Sequence, residues 1–230
     1  MGKILKKAIV VLKRFLIYGF LLSIVSVLFF RFIPIPVTPL MLIRVIEQAT
    51  NNEPLKLHKD WIPLDQISPN IILAVMTSED QRFTQHWGFD FEAIQKAMKK
   101  NEKNHIKGAS TISQQTAKNV FLWPGRSWLR KGFEVYFTVL IETFWSKKRI
   151  MEVYLNVIEM GDGIYGTEAA ARTFFKHSAK DLTLSEAALI AATLPNPRRW
   201  TPSRPTSYIY AKQNWILRNS FRVKRQNNSW

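Results

Sequence analysis

Glu79 closes an apolar helical pattern: Ile72, Val75, Met76 and Glu79 fall at i, i+3, i+4 and i+7, so all four share one face. Apolar surroundings and the negative end of a helix dipole both strengthen a carboxylate as a base. A base placed there is suited to take a proton from an attacking hydroxyl. The plainer reading, a helix-terminal acid bonded to the next loop, stays open on spacing alone. Asp80, about 100° further round an ideal helix, reads as a group that orients that loop. His86, in the stretch QHWGFD, is a candidate acid/base or turn-forming residue. With no Cys or Asp at metal-ligand spacing, its structural reading comes first.

The run GASTISQQTAKN, from Gly108 to Asn119, is denser in hydrogen-bonding side chains than a loop requires. Ser110, Thr111, Ser113, Gln114 and Gln115 supply hydroxyls and amides in a register that starts a helix at Ser110 or Thr111. Such a lining suits a sugar ring, and a helix N-terminus also suits phosphate oxygens. The alternative is a capped helix start with solvated glutamines. Lys118, Arg126, Arg130 and Lys131 come next, interleaved with Phe121, Leu122, Trp123 and Trp128. Cations beside aromatic residues fit a lipid diphosphate held at a membrane surface, with single-stranded nucleic acid as the runner-up. Glu134 lies four residues after Arg130. It reads either as an ordinary surface ion pair or as a second carboxylate that aligns the cations.

The elements that must position these groups are mainly helical. Ser68-Pro69 reads as an N-cap with proline at the first helical position. Apolar stripes run through Leu129 to Phe144, Ile150 to Ile158, Thr167 to Phe175 and Tyr208 to Ile216. Thr183 to Glu186 reads as a capping box, and Pro195 as the stop of the helix it opens. PLMLIRVIEQ is expected as a short helix, either lying near a membrane or packed in the core. No repeat and no series of alternating strands is visible; at most a hairpin is expected near residues 99 to 110.

With 230 residues, 47% of them hydrophobic, one compact domain plus an appendage is the default, and whole-chain disorder is excluded. Zero cysteines exclude a disulfide framework and thiolate chemistry. The 33 basic and 17 acidic residues give a formal charge of +16, which implies an anionic partner. After Glu186 no acidic residue occurs, while eight arginines and lysines do. Lys3, Lys6, Lys7, Lys13 and Arg14 crowd the N-terminus ahead of the uncharged run Phe15 to Phe30. Sixteen residues fall short of the roughly 20 a spanning helix needs. Ala8 to Leu12 before the run and Phe32 to Ile35 after it are expected to make up the deficit. A cleaved signal peptide is disfavoured because SVLFFRFIPIP is a poor cleavage site. The reading is a basic cytoplasmic segment over 1–12, an anchor over 13–35, a juxtamembrane linker or jaw over 36–60 and a catalytic domain over 61–230. The clustered positive charge should stay in the cytoplasm, which puts the rest of the chain on the outer face of the cytoplasmic (inner) membrane, away from nucleic acid.

In order, EDQRFTQHWG, GASTISQQTAKN, RKGFE and KKRIMEVYLN resemble the motifs of the glycosyltransferase family 51 (transglycosylase) domain found in penicillin-binding proteins and in a stand-alone form. The similarity covers about residues 60 to 200 and favours the stand-alone form. It implies a lysozyme-like helical fold with a small membrane-dipping jaw. It also implies polymerisation of lipid II, with inversion at the anomeric carbon and release of a polyprenyl diphosphate. By motif, Glu79 would be the general base, Lys118 and Arg126 the diphosphate cations, and Glu134 the second acidic residue. Ser110, Thr111, Gln114, Gln115, Asn119, Arg130 and Lys131 would hold the donor or shape the cleft, with Asp80 and His86 alongside. No resident cofactor is implied, although a divalent ion such as Mg²⁺ could assist the diphosphate. Partners would be lipid II, the growing glycan, membrane lipids and other cell-wall synthesis proteins. The rivals are a lysozyme-like glycan hydrolase and a non-enzymatic, membrane-tethered scaffold.

Overall fold

The computed structural model describes residues 2–101, 110–125 and 127–227, and the chain divides into two compact units at Pro34 and Ile35. The first unit is one helix, α1 (Gly2–Phe30). Its stretch Leu5–Phe30, 26 residues, is long and apolar enough to cross a membrane, at about 39 Å of rise against a hydrocarbon core of about 30 Å. The chain leaves the helix at Phe30, so Phe32 to Ile35 do not lengthen it as expected. The length comes instead from the N-terminal side, where the basic residues are themselves helical. Residues 36–60, expected as a juxtamembrane linker or jaw, fall within the second unit, Ile35–Trp230.

That unit is built of helices α2 (Pro39–Thr50), α3 (Pro69–Glu79), α4 (Phe91–Asn101), α5 (Ile112–Phe121), α6 (Trp128–Phe144), α7 (Lys147–Val157), α8 (Thr167–Phe175), α9 (Leu184–Thr193) and α10 (Ser207–Gln226). Two packing groups place the site. In one, α3 lies against α9 and α10. Ala187, Ala188, Ala191 and Ala192 of α9 are fully buried, and their small side chains let α3 approach closely. In the other, α5 packs on α6 and α7.

The helix starts obey local chemistry. Ser68 Oγ accepts from the Asn70 amide at 3.3 Å, Pro69 occupies the first position, and the same hydroxyl donates to Leu182 O at 2.8 Å. Thr183 and Glu186 form the expected capping box, and α9 ends at Thr193, ahead of Pro195.

The strands depart from expectation. Residues 99–101 are the end of α4, and 102–109 lie outside the described residues, so no hairpin is described there. Instead β2 (Glu159–Gly161) and β3 (Ile164–Tyr165) form an antiparallel hairpin with a bulge, and β1 (His58–Lys59) joins β3 in parallel. Strands of two and three residues carry too little alternation to be seen in sequence.

Candidate active site

Helix α3 delivers Glu79 as its last residue, and the backbone breaks at Asp80 (φ −156°, ψ 82°). Asp80 is almost fully buried and fully engaged: its carboxylate meets His86 Nε2 at 2.9 and 3.0 Å and accepts from the Ile112 amide at 3.0 Å. It therefore ties the end of α3 to the start of α5. The loop between α3 and α4 is tied to the start of α5 as well. Thr111 Oγ1 donates to Gly88 O at 2.7 Å, and Gly88 has φ +82°, where a Cβ would lie 2.8 Å from Thr138 Cγ2. Only glycine fits that position without strain.

Glu79 is half-buried and lines a cavity of 580 Å³ together with Asp80, Ser110, Thr111, Arg82 and Arg222. Ser78 Oγ donates to its Oε1 at 2.8 Å and Gln115 Nε2 to its Oε2 at 3.2 Å. Gln115 is held in turn by the fully buried Tyr154, whose hydroxyl donates to Oε1 at 3.3 Å. Burial, and then the negative charges of Glu79 and Asp80, hold that phenol far above its ordinary titration range, so it stays a donor.

Lys118 stands three residues after Gln115 on α5, about 4.5 Å along the axis. It is half-buried and donates to no protein acceptor among the described residues. Burial pulls its ammonium below the usual lysine range, the Glu134 and Glu79 carboxylates pull it back up, and Arg130 and Lys131 depress it further. Lys118, Asn119, Trp123 and Arg130 line a second cavity, of 260 Å³. Glu134, buried, anchors this cationic group: Lys131 Nζ lies 2.5 Å from Oε1 and Arg130 Nη1 3.6 Å from Oε2.

The motif residues thus divide. Glu79, Ser110, Thr111, Gln115, Lys118, Asn119, Arg130, Lys131 and Glu134 are grouped along one flank of α5 and its neighbours α3 and α6. Gln114 is turned away: its Oε1 accepts from the Thr111 amide at 3.0 Å as half of a capping box. His86 backs Asp80 and does not line the Glu79 cavity. Arg126 lies outside the described residues.

Two further contributors emerge only in three dimensions. In sequence, Tyr154 is simply one member of an apolar stripe. Lys212 of α10 is simply one cation of the acid-free C-terminal run, yet it is half-buried with Glu79 in electrostatic range. Burial lowers its ammonium and Glu79 restores part of the loss. The one signal for Lys212 is its place in an amphipathic helix after a run without acids. Tyr154 has none beyond its motif.

A helical domain that sets one carboxylate near a half-buried lysine, with two further cations anchored on a buried glutamate, has the charge arrangement of a group-transfer site for an anionic leaving group. The sequence profile of the transglycosylase family matches residues 45–220. The chain is 55% identical over 211 residues to a protein of Bdellovibrio bacteriovorus, covering 90% of this chain and 84% of the relative. It is 54% identical over 215 residues to one from Bacteroides thetaiotaomicron (93% and 87% covered), and 51% over 209 residues to one from Yersinia pseudotuberculosis (90% and 87%). Each of these relatives is named a biosynthetic peptidoglycan transglycosylase. The chain belongs to the transglycosylase family, and its helical domain is lysozyme-like.

Proposed function

We propose that this protein is a peptidoglycan glycosyltransferase that polymerises lipid II into glycan strands in cell-wall synthesis. Glu79 Oε accepts the proton of the acceptor sugar's 4-hydroxyl as that oxygen attacks the anomeric carbon of the growing chain. The bond to the polyprenyl diphosphate breaks on the opposite face, so configuration inverts. The departing diphosphate gathers negative charge, and Lys118, with Arg126 and Arg130, stabilises it more in the transition state than in the ground state. Glu134 holds Arg130 and Lys131 in place. Ser110 and Asn119 contact the sugars, and Thr111 fixes the start of α5.

The observation that carries the reading is the bridge from Glu79 through Gln115 to the face of α5 that presents Lys118. It sets the base against Gln115, about one helical turn before the partly desolvated Lys118. Against a hydrolase, Glu134 is committed to two cations and is no free partner for a second-carboxylate mechanism. A divalent ion such as Mg²⁺ enters this scheme as a counter-ion of the diphosphate. The apolar helix α1 anchors the enzyme to the cytoplasmic membrane, with the basic end inside and the catalytic domain outside, where lipid II, membrane lipids and other cell-wall synthesis proteins meet it.

Purified protein given lipid II should yield polymer, and Glu79→Gln should lose at least about 100-fold in rate, the lower bound for a general base, with folding unchanged. Shortening of finished glycan with no polymer from lipid II would establish the hydrolase instead. Full activity in Glu79→Gln would remove the base.

A further inference from the structure

Away from the Glu79 and Lys118 cavities, and sharing no residue with either, lies a depression of 660 Å³ between β1, the β2–β3 hairpin, the end of α8 and the loop before α10. Five cations line it, Lys56, Arg172, Lys176, Arg198 and Arg199, against the single carboxylate of Asp162. That carboxylate is already engaged. Lys56 Nζ lies 2.6 Å from Oδ2 and Arg198 Nε 3.5 Å from Oδ1, and the hydrogen bond from Lys56 holds Asp162 below its ordinary range. Arg172 gives its Nε to Glu168 at 2.6 Å while most of its side chain remains exposed. The Arg199 guanidinium has no protein partner among the described residues, and Lys176 Nζ reaches only the Thr173 carbonyl, at 3.1 Å.

The cations are presented on a built frame. The Lys56 amide donates to Gln48 Oε1 at 2.8 Å and the His58 amide to Gly163 O at 2.8 Å. Gly163, at φ +72°, packs so tightly that a Cβ would lie 2.4 Å from Lys56 Cβ and 2.6 Å from Lys56 O. The hairpin turn therefore fixes the Lys56 backbone.

Two apolar features select the ligand. Lys56 is flanked by Leu55 and Leu57, which are 64% and 44% exposed. Trp200, on the cavity wall, packs 5.2 Å from the exposed Tyr208. Cations, protruding aliphatic side chains and amphipathic aromatic rings together are the composition of a membrane interface. A free phosphate has no apolar part to meet the leucines.

We propose that this cavity is a headgroup site for an anionic phospholipid, with its cations on the lipid phosphate and Leu55 and Leu57 in the adjoining acyl region. The site would hold the domain against acidic membrane independently of α1. Its failure would leave the polymerisation reading untouched, since no residue is shared.

The test uses the full chain in uncharged detergent, titrated with short-chain (dihexanoyl) phosphatidylglycerol at submicellar concentration. The comparison ligands are dihexanoyl phosphatidylcholine, inorganic phosphate and an acidic muramyl pentapeptide. The glycerol lipid should bind most tightly, and more weakly as salt rises. Replacing three cations together, Arg172→Gln, Lys176→Gln and Arg199→Gln, should weaken it about 100-fold, at about fivefold per basic residue near an anionic surface. Leu55→Ser with Leu57→Ser should weaken the lipid but leave inorganic phosphate unchanged. Thermal midpoint and lipid II turnover should match wild type; if the triple variant does not fold, Arg199→Gln alone should still lose about fivefold. Equal binding by wild type and variant, equal binding of the choline lipid, phosphate as tight as the lipid, or a preference for the pentapeptide would each overturn the proposal.

Discussion

Tyr154→Phe removes one oxygen from a fully buried ring and leaves its packing intact. The hydroxyl donates to Gln115 Oε1 at 3.3 Å, and the other end of that amide donates to Glu79 Oε2 at 3.2 Å. An amide has a donor end and an acceptor end, and rotation by half a turn exchanges them. The phenol decides which end faces the base. Without it, Gln115 can present its carbonyl to the Glu79 carboxylate, and an attraction becomes a repulsion. Losing a neutral buried hydrogen bond costs about 1 kcal/mol of stability, whereas a bond to a charged group contributes about 1.5–3 kcal/mol. If that second contribution is lost in the transition state, turnover should fall about 10- to 100-fold, while the thermal midpoint drops by only a few degrees. Initial rates with labelled lipid II measure the first and thermal unfolding the second. A double-mutant cycle sharpens the test: Tyr154→Phe added to Gln115→Ala should cost nothing further, because the tyrosine acts through the glutamine. Near wild-type turnover in Tyr154→Phe, or additive losses in the double variant, would refute the relay.

The remaining predictions concern Lys118 and Gly88. Because burial lowers the Lys118 ammonium, its positive charge is lost as pH rises through a value below that of an ordinary lysine. The alkaline limb of kcat/KM should therefore begin early, and Lys118→Arg, which stays charged, should move it to higher pH; an unmoved limb would assign it to another group. Lys118→Ala should lower turnover about 100- to 1,000-fold, the scale for losing one preorganised group at a developing anion. Gly88→Ala combines an unfavourable φ of +82° with a Cβ 2.8 Å from Thr138 Cγ2 and should destabilise by about 1–3 kcal/mol, read as a lower thermal midpoint.

The range of each interaction decides whether sequence discloses it. Caps at Ser68, Thr111 and Thr183 are legible because donor and acceptor lie two or three residues apart. The apolar stripes locate α6, α7, α8 and α10 but not the buried side of each. Helix α6 buries Glu134, Thr138 and Ile141 and α10 buries Ile209, Gln213 and Ile216, whereas Leu129, Phe133, Tyr208 and Trp215 of the stripes are exposed, and α7 is buried nearly all round. The helical start of the basic N-terminal segment is not legible, since nothing marks a cap there. Nor is the β2–β3 hairpin, whose strands are too short for a pattern and depend on β1, about a hundred residues earlier in the chain. Tyr154 and Lys212 reach the site from helices far along the chain, and no local spacing reports that approach.

Gln114 and Gln115 mark the limit most clearly. They are neighbours of one type in one motif, and the motif assigns both to the cleft. Their side chains leave α5 about 100° apart. Gln114 is turned to the helix end, where it accepts from the Thr111 amide and fixes the first turn. Gln115 is turned to Glu79 and Tyr154. The first makes the helix start where it does, so that the Ile112 amide meets Asp80. The second uses that placement to orient the base. Replacing Gln114 should therefore act on activity through the register of α5, whereas replacing Gln115 should act on Glu79 directly. The two losses have different origins although the residues stand side by side in one motif. Chemistry at this site is a property of which face a side chain occupies, and that is settled only when α3, α5 and α7 come together.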